Sequence, residues 1–208
     1  FLNISDNLSF MQNEILKYKD EDIIVNRSGY TGEDGFEISI PNSIILDLIK
    51  KIMINPDSKL CGLGSRDSLR LEAGLSLYGN ELNEELTPFD ANLQWSIHKD
   101  RLTDIKLNGQ KKLLKQYHNG SDKLKIGLLS STKSILRSNM VLYNLDKNEI
   151  GYITSGGYSP ILKTSIAIGY INNSQNKIGE VLSLIRGNYE VLKIVKLPFV
   201  SHKYRRAK

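Results

Sequence analysis

Two side chains in this 208-residue sequence have the type and setting to recognise a ligand, and the first is Glu37. It follows a glycine-rich loop, GYTGEDGFE at 29–37, where apolar residues at 36, 38 and 40 alternate with polar residues at 37 and 39. In a β-strand this alternation places Glu37 on the face opposite the core. A carboxylate there can accept two parallel N–H bonds from an amidine-like edge, such as that of a pterin or guanine. A solvated strand face is the alternative interpretation.

The second is Arg66, in the stretch CGLGSRDSLRLEAG at 61–74. Residues from about 65 to 73 predict a helix, so Arg66 falls in its first turn. A helix dipole disfavours a cation at that end, and Arg66 therefore requires a partner. The partner is either a local acid, Asp67 or Glu72, or a carboxylate or carbonyl group of a ligand. The residues alone leave both open.

The elements that must position these side chains are two strands and two helices. The glycine loop joins a strand at 23–25 to one at 36–40, and Pro41 ends the second strand. Asn42 or Ser43 can cap a helix whose apolar positions recur as far as Met53. A weaker helical pattern runs from position 90 to Trp95, and this single tryptophan is predicted to lie in the core. Residues 107–120 are Lys-rich and are predicted as helix plus linker.

After residue 121 the pattern changes to short apolar runs separated by turns. TSGGYSP at 154–160 predicts a tight turn after one of the strands. The fold class is therefore predicted as α+β, with a first domain at 1–105, a linker at 106–120 and a C-terminal antiparallel β-barrel at 121–208. The six predicted barrel strands lie at 126–129, 140–143, 150–153, 166–171, 181–185 and 191–197.

Composition and charge argue against several classes of protein. No apolar run approaches the ~20 residues that span a bilayer. One cysteine rules out an internal disulfide, and with three scattered histidines it argues against a structural zinc site. The net charge of +5 falls to +1 without the tail, which makes nucleic-acid binding a weak hypothesis and the tail a solvated end. The basic residues of the tail are Lys203, Arg205, Arg206 and Lys208.

Five stretches together resemble the aminomethyltransferases, or T-proteins, of the glycine cleavage system. They occur in the order of that family and cover nearly the whole chain. The stretches are NRSGYTGEDGFEISIP (26–41), GLGSRDSLRLEAGLSLYGNEL (62–82), TPFDANLQWSIHKD (87–100), YITSGGYSPILKTSIAIGYI (152–171) and VKLPFVSHKY (195–204).

The resemblance implies a reaction and a site. Family members take an aminomethyl group from the lipoyl arm of H-protein, release ammonia and transfer the one-carbon unit to tetrahydrofolate, the co-substrate. On matching positions, Glu37 would grip the pterin edge, Arg66 would be a cationic contact to folate, and Tyr204 and Tyr30 would contact folate near the channel. The partners implied are lipoylated H-protein and tetrahydrofolate, with no metal, nucleic acid or membrane.

The resemblance also implies that this chain lacks a section of the family's folate-binding domain. Family members carry a further N-terminal section that completes the folate-binding domain and holds the catalytic aspartate. Phe1 aligns inside that domain, so we expect residues 1–105 to be its C-terminal part and this chain alone to be inactive. Ser201 stands where the family often has proline. The location would be the mitochondrial matrix if the source is eukaryotic and the cytoplasm if it is bacterial.

A second hypothesis is a folate-binding module without transfer activity. It includes the related folate domains of sarcosine and dimethylglycine dehydrogenases. The stretch RDSLRLEAG favours the transferase.

Overall fold

The computed structural model describes residues 2–132, 134–175 and 179–206, and their contacts define two compact units. The first unit comprises the residues up to Arg70 together with the C-terminal segment from Ser201. The second unit is Leu71–Val200. Phe1 and Lys208 lie outside the described residues.

The first unit is built on a three-stranded antiparallel sheet in the order β1-β2-β3. Its strands are β1 (Asn13–Tyr18), β2 (Glu21–Asn26) and β3 (Glu37–Ser39). Helix α1 (Asn42–Ile52) follows, and its Leu48 joins the buried core that one sheet face forms with Tyr18, Ile23 and Val25. Strand β1 was not predicted. The N-cap of α1 is Pro41, so the expected cap at Asn42 or Ser43 is wrong.

The helix that carries Arg66 is α2 (Leu63–Glu72), which starts two residues earlier and ends one residue earlier than predicted. Two short 3-10 segments follow, Gln94–Ser96 and Lys99–Thr103, in place of the helix predicted up to Trp95. Trp95 is 75% exposed, so its predicted place in the core is wrong.

The second unit contains helix α3 (Gln110–Asn119) and six strands that close into an antiparallel barrel. The order around the barrel is β4-β7-β6-β5-β8-β9, with β4 hydrogen-bonded to both β7 and β9. This architecture confirms the predicted α+β class and all six predicted strands. The strands are β4 (Lys123–Ser130), β5 (Val141–Tyr143), β6 (Glu149–Ser159), β7 (Thr164–Asn172), β8 (Glu180–Ile185) and β9 (Asn188–Val195).

The predicted turn at TSGGYSP is wrong, because β6 continues through it to Ser159. Gly156 and Gly157 pair with Ala167 and Ile166 of β7 in a regular ladder. A Cβ on Gly156 would lie 2.6 Å from the carbonyl oxygen of Leu136. The glycine thus serves the close approach of another backbone segment, and the chain reverses after Ser159 instead.

Buried polar contacts attach residues 71–120 to the barrel within the second unit. The Lys125 ammonium donates to the Ser76 hydroxyl at 2.8 Å, and burial lowers the pKa of Lys125. The Tyr170 hydroxyl donates to the Glu81 carbonyl oxygen at 2.8 Å, and the Thr154 hydroxyl donates to the Glu81 carboxylate. The boundaries of the compact units fall at 70/71 and 200/201, whereas the predicted domain boundaries are at 105 and 121. The predicted domain boundaries stay a prediction.

Candidate functional site

Glu37 lies on the face of the first unit's sheet that is opposite the core. It is the first residue of β3 and faces Asn26 of β2, while Ile24 faces Ser39. The neighbours of Ile24 in β2, Ile23 and Val25, point into the core and are fully buried. The carboxylate is exposed beside an amide and a partly exposed apolar side chain. The alternation in the sequence predicted this face correctly.

A hydrogen bond closes the base of the glycine loop. The Ser28 hydroxyl, just before the loop, donates to Oε2 of Glu37 at 2.7 Å. Phe36 does not join the core as its place in the alternation suggested, since it is 41% exposed and precedes the strand. The Arg27 guanidinium lies over its ring, 5.0 Å from the centroid.

Arg27 also anchors the glycine loop, by binding Asp34. Arg27 is 6% exposed and binds Asp34 with both Nε and Nη2, the Nε–Oδ1 distance being 2.9 Å. Its Nη1 donates to the carbonyl oxygen of Leu8 at 3.1 Å. The hydrogen bond from Arg27 lowers the pKa of Asp34, with a further contribution from the backbone N–H of Arg205. Asp34 is therefore a structural carboxylate held in its charged form.

The structure brings Tyr30 and Arg66 together. The guanidinium carbon of Arg66 lies 4.8 Å from the centroid of the Tyr30 ring, a cation–π distance. Asp67, one of the two local partners considered for Arg66, binds Arg70 at 2.7 Å. Arg66 itself is exposed, so its cation remains accessible to a ligand.

Tyr204 is held by ring contacts near the C-terminus. Its ring stacks on Phe10 with centroids 3.9 Å apart and planes 7° apart, and His202 lies 4.9 Å away. Partial burial raises the pKa of Tyr204, so the phenol stays protonated at neutral pH.

The basic C-terminal segment binds the glycine loop and is therefore not a free end, although the side chains of Lys203, Arg205 and Arg206 are exposed, as expected of a solvated tail. The Lys203 N–H donates to the Gly32 carbonyl oxygen at 2.8 Å, and the Lys203 ammonium binds Glu33 at 2.9 Å. On its other side the Arg205 carbonyl oxygen accepts the Phe10 N–H at 2.7 Å.

The four predicted site residues thus surround one loop. Tyr30 lies in it, Glu37 follows it, Arg66 contacts it through Tyr30, and Tyr204 belongs to the segment that binds it. Sequence reasoning missed the residues that hold this arrangement. These are Ser28, Arg27, Asp34, Phe10 and Lys203. Only the short Arg27–Asp34 separation offered a signal, because Arg27 precedes the loop and Asp34 lies within it.

The second unit has a cleft of about 540 Å³ lined by Trp95, Phe89, Tyr117 and Leu102. In the described residues no group of three or more His, Cys, Asp or Glu side chains could hold a metal ion. No helix among them is long and apolar enough to cross a membrane.

Comparison with known families defines the class of protein. The model of the GCVT N-terminal domain matches residues 3–101, and the model of the glycine cleavage T-protein C-terminal barrel domain matches residues 124–201. The chain belongs to the glycine cleavage T-protein family, which confirms the resemblance found in its motifs.

Individual relatives agree with this assignment. The chain is 42% identical over 200 residues to the mitochondrial aminomethyltransferase of Pisum sativum, covering 95% of this chain and 49% of the relative. It is 38% identical to the human mitochondrial aminomethyltransferase, covering 86% of this chain and 45% of the relative. The crystal structure of glycine cleavage system aminomethyltransferase T from Bartonella henselae superposes with a TM-score of 0.91 at 36% identity, over 98% of this chain and 56% of that one. The chain spans about half the length of the curated relatives it matches.

Proposed function

We propose that this chain is the folate-binding part of an aminomethyltransferase of the glycine cleavage system. In that reaction a one-carbon unit passes from the aminomethyl-lipoyl arm of H-protein to tetrahydrofolate, and ammonia is released. The observation that carries the proposal is the position of Glu37 on the exposed sheet face at the base of a loop that also presents Tyr30 and Arg66.

Glu37 has the chemistry to bind the pterin. The edge of the pterin ring presents parallel N–H donors, and a carboxylate can accept both in a charge-assisted pair. The Ser28 hydroxyl occupies one acceptor position of Oε2 and fixes the orientation of the carboxylate. The other oxygen, Oε1, and the second lone pair of Oε2 are available for the ligand.

Arg66 and Tyr30 have the chemistry to bind the rest of folate. A guanidinium complements the carboxylates of the glutamate part, and Tyr30 holds the guanidinium by its ring face. Tyr204 adds a protonated phenol that can donate to a carbonyl oxygen. We propose all four as folate contacts.

Catalysis requires more than this site. No residue of the chain lies in a motif that matches the family's catalytic aspartate, so we propose that the chain binds folate without turning over alone. The lipoylated H-protein is proposed as the partner in the complete enzyme. Relatives from plants and human are named as mitochondrial, and we propose the mitochondrion for this chain if its source is eukaryotic.

The test is isothermal titration of tetrahydrofolate into the chain and into Glu37→Gln. The amide keeps the size but turns one acceptor into a donor that faces the N–H donors of the pterin. Loss of a charge-assisted pair costs ~2–4 kcal/mol, so the affinity should fall on the order of a hundredfold. The melting temperature should change little, because Glu37 is exposed.

Asp22→Asn is the matched control, since Asp22 lies on the same exposed face in β2 and forms a surface ion pair with Lys17. It should bind folate like the wild type. No detectable binding by the wild type would overturn the proposed function. Equal binding by Glu37→Gln would remove Glu37 from the site.

A further inference from the structure

The C-terminal segment 202–206 has a place in the fold that the proposed folate contacts do not explain. It passes between the glycine loop and the N-terminal segment, and it bonds to both. Toward the loop, Lys203 binds Gly32 and Glu33. Toward the N-terminal segment, Arg205 binds the Phe10 N–H through its carbonyl oxygen and the Asp6 carbonyl oxygen through its guanidinium.

We propose that this segment is a clasp that orders the glycine loop before the ligand arrives, and that Lys203 is its positioning residue. The inference rests on the proposed function, because the ligand is the folate bound by the loop. Lys203 acts through Glu33 and Gly32 and is not proposed to touch folate.

The attachment points of the loop support this role. The loop's base is closed by Ser28 and Glu37, and its C-terminal half is anchored by Arg27 through Asp34. The clasp supplies the attachment in the middle, where Gly32 has a left-handed backbone (φ 77°). A glycine-rich stretch samples many conformations when it is free, so each attachment lowers the cost of ordering it.

The clasp also links the two chain segments that carry two of the proposed folate contacts, Tyr30 and Tyr204. Tyr30 is two residues before Gly32, and Tyr204 directly follows Lys203. The bond between Lys203 and Gly32 therefore links the two chain segments that carry these aromatic residues. A site whose walls are already linked binds at a lower ordering cost, which is the general advantage of preorganisation.

The expected effect is modest because the ion pair is exposed. The side chains of Lys203 and Glu33 are 65% and 42% exposed. Exposed pairs are weak and screened by salt, so Lys203→Gln should fold normally. The loop of the variant should open part of the time, and the affinity for tetrahydrofolate should fall about three- to fivefold.

The test compares Lys203→Gln, Glu33→Gln and the charge swap Lys203→Glu/Glu33→Lys by titration with tetrahydrofolate. Each single variant should lose the same factor, and the swap should recover most of it at low salt. Lys196→Gln is the control, since Lys196 is exposed, carries the same charge and lies in the second unit. The control should bind like the wild type.

Hydrogen exchange without folate separates this inference from the proposed function. The amides of residues 29–35 should exchange faster in Lys203→Gln than in the wild type or Lys196→Gln. If exchange is unchanged, the Lys203–Glu33 ion pair does not order the loop, and the inference that Lys203 is the positioning residue of the clasp is overturned whether or not folate binds. A second contrary outcome is that exchange rises in Lys203→Gln while the wild type and the variant bind tetrahydrofolate with the same affinity. In that case the clasp has no role in ligand binding and the inference is also overturned.

Discussion

The three acids around the glycine loop differ in what they bind, and this difference decides which is available to a ligand. Asp34 is held by the buried Arg27, and Glu33 is held by Lys203. Glu37 accepts a bond from the neutral Ser28 hydroxyl, and within the described part of the chain no cation forms an ion pair with it. Glu37 is thus the loop acid whose negative charge is left for donors from outside.

Asp47 of α1 gives a pH prediction for the sheet that carries the site. It accepts the Tyr18 hydroxyl and pairs with Lys19 at 2.9 Å and Lys51 at 3.4 Å. The Tyr18 bond, followed by Lys19, lowers the pKa of Asp47 from 3.8 to about 2. A lowered pKa stabilises the fold above pH 3.8, and that contribution is lost as the pH falls from about 4 to about 2.

We therefore expect Asp47→Asn to be less stable than the wild type at pH 4, with a smaller deficit near pH 2, where the wild-type carboxyl is about half protonated. The measurement is brief pepsin digestion in increasing urea at both pH values, with cleavage between residues 13 and 52 located by mass spectrometry. Asp57→Asn, on an exposed turn after α1, is the control and should follow the wild type. An equal deficit of Asp47→Asn at both pH values would contradict the assignment.

At the scale of elements, the sequence predicted what regular alternation and turn residues specify. The barrel strands follow such signals, and at the turn between β8 and β9 both Arg186 and Gly187 have positive φ. Strand β1 was missed because its turn, Lys19-Asp20, adopts positive φ without glycine or asparagine. The exposed face of β1 also carries an apolar residue, Ile15, opposite Ile24 of β2. The alternation of polar and apolar residues is therefore interrupted in this strand.

The errors at Gly156 and Trp95 have a different origin. Gly156 was interpreted as a turn residue, yet it is needed where the Leu136 backbone crosses β6. Trp95 was placed in the core by its residue type, yet it lies exposed at the rim of a cleft. Both facts depend on segments distant in sequence, so no local pattern contained them. The same is true of the clasp, since 170 residues separate Glu33 from Lys203.

Adjacent glycines in β6 test the role of this backbone crossing. A Cβ at Gly156 would lie 2.6 Å from the Leu136 carbonyl oxygen, whereas one at Gly157 would lie 3.6 Å from a Leu71 methyl group. Gly156→Ala should therefore destabilise the second unit by about 1–3 kcal/mol, the usual cost of forced backbone shifts. Gly157→Ala should be near neutral. Calorimetric melting of the two variants decides it, and equal melting temperatures would show that the crossing can relax.

At the scale of the whole molecule, the sequence suggested that the positive charge is concentrated in a free C-terminal tail. In the structure part of this charge is bound to other segments. Lys203 binds Glu33, and Arg205 binds the N-terminal segment through its guanidinium. Two of the tail's basic residues therefore bind other segments of the first unit.

The last prediction concerns activity. The chain matches both T-protein domains, yet it spans about half the length of its curated relatives. We propose that the family's catalytic aspartate has no counterpart in it. The proposed contacts would bind and orient folate, and none of them is proposed as the acid or base that acts on the departing amine. Given aminomethylated H-protein and tetrahydrofolate, the purified 208-residue chain should release no ammonia above background, while the pea relative should do so in the same assay. Release at a rate comparable to that relative would show that the chain contains its own catalytic group, and the proposal of binding without turnover would fall.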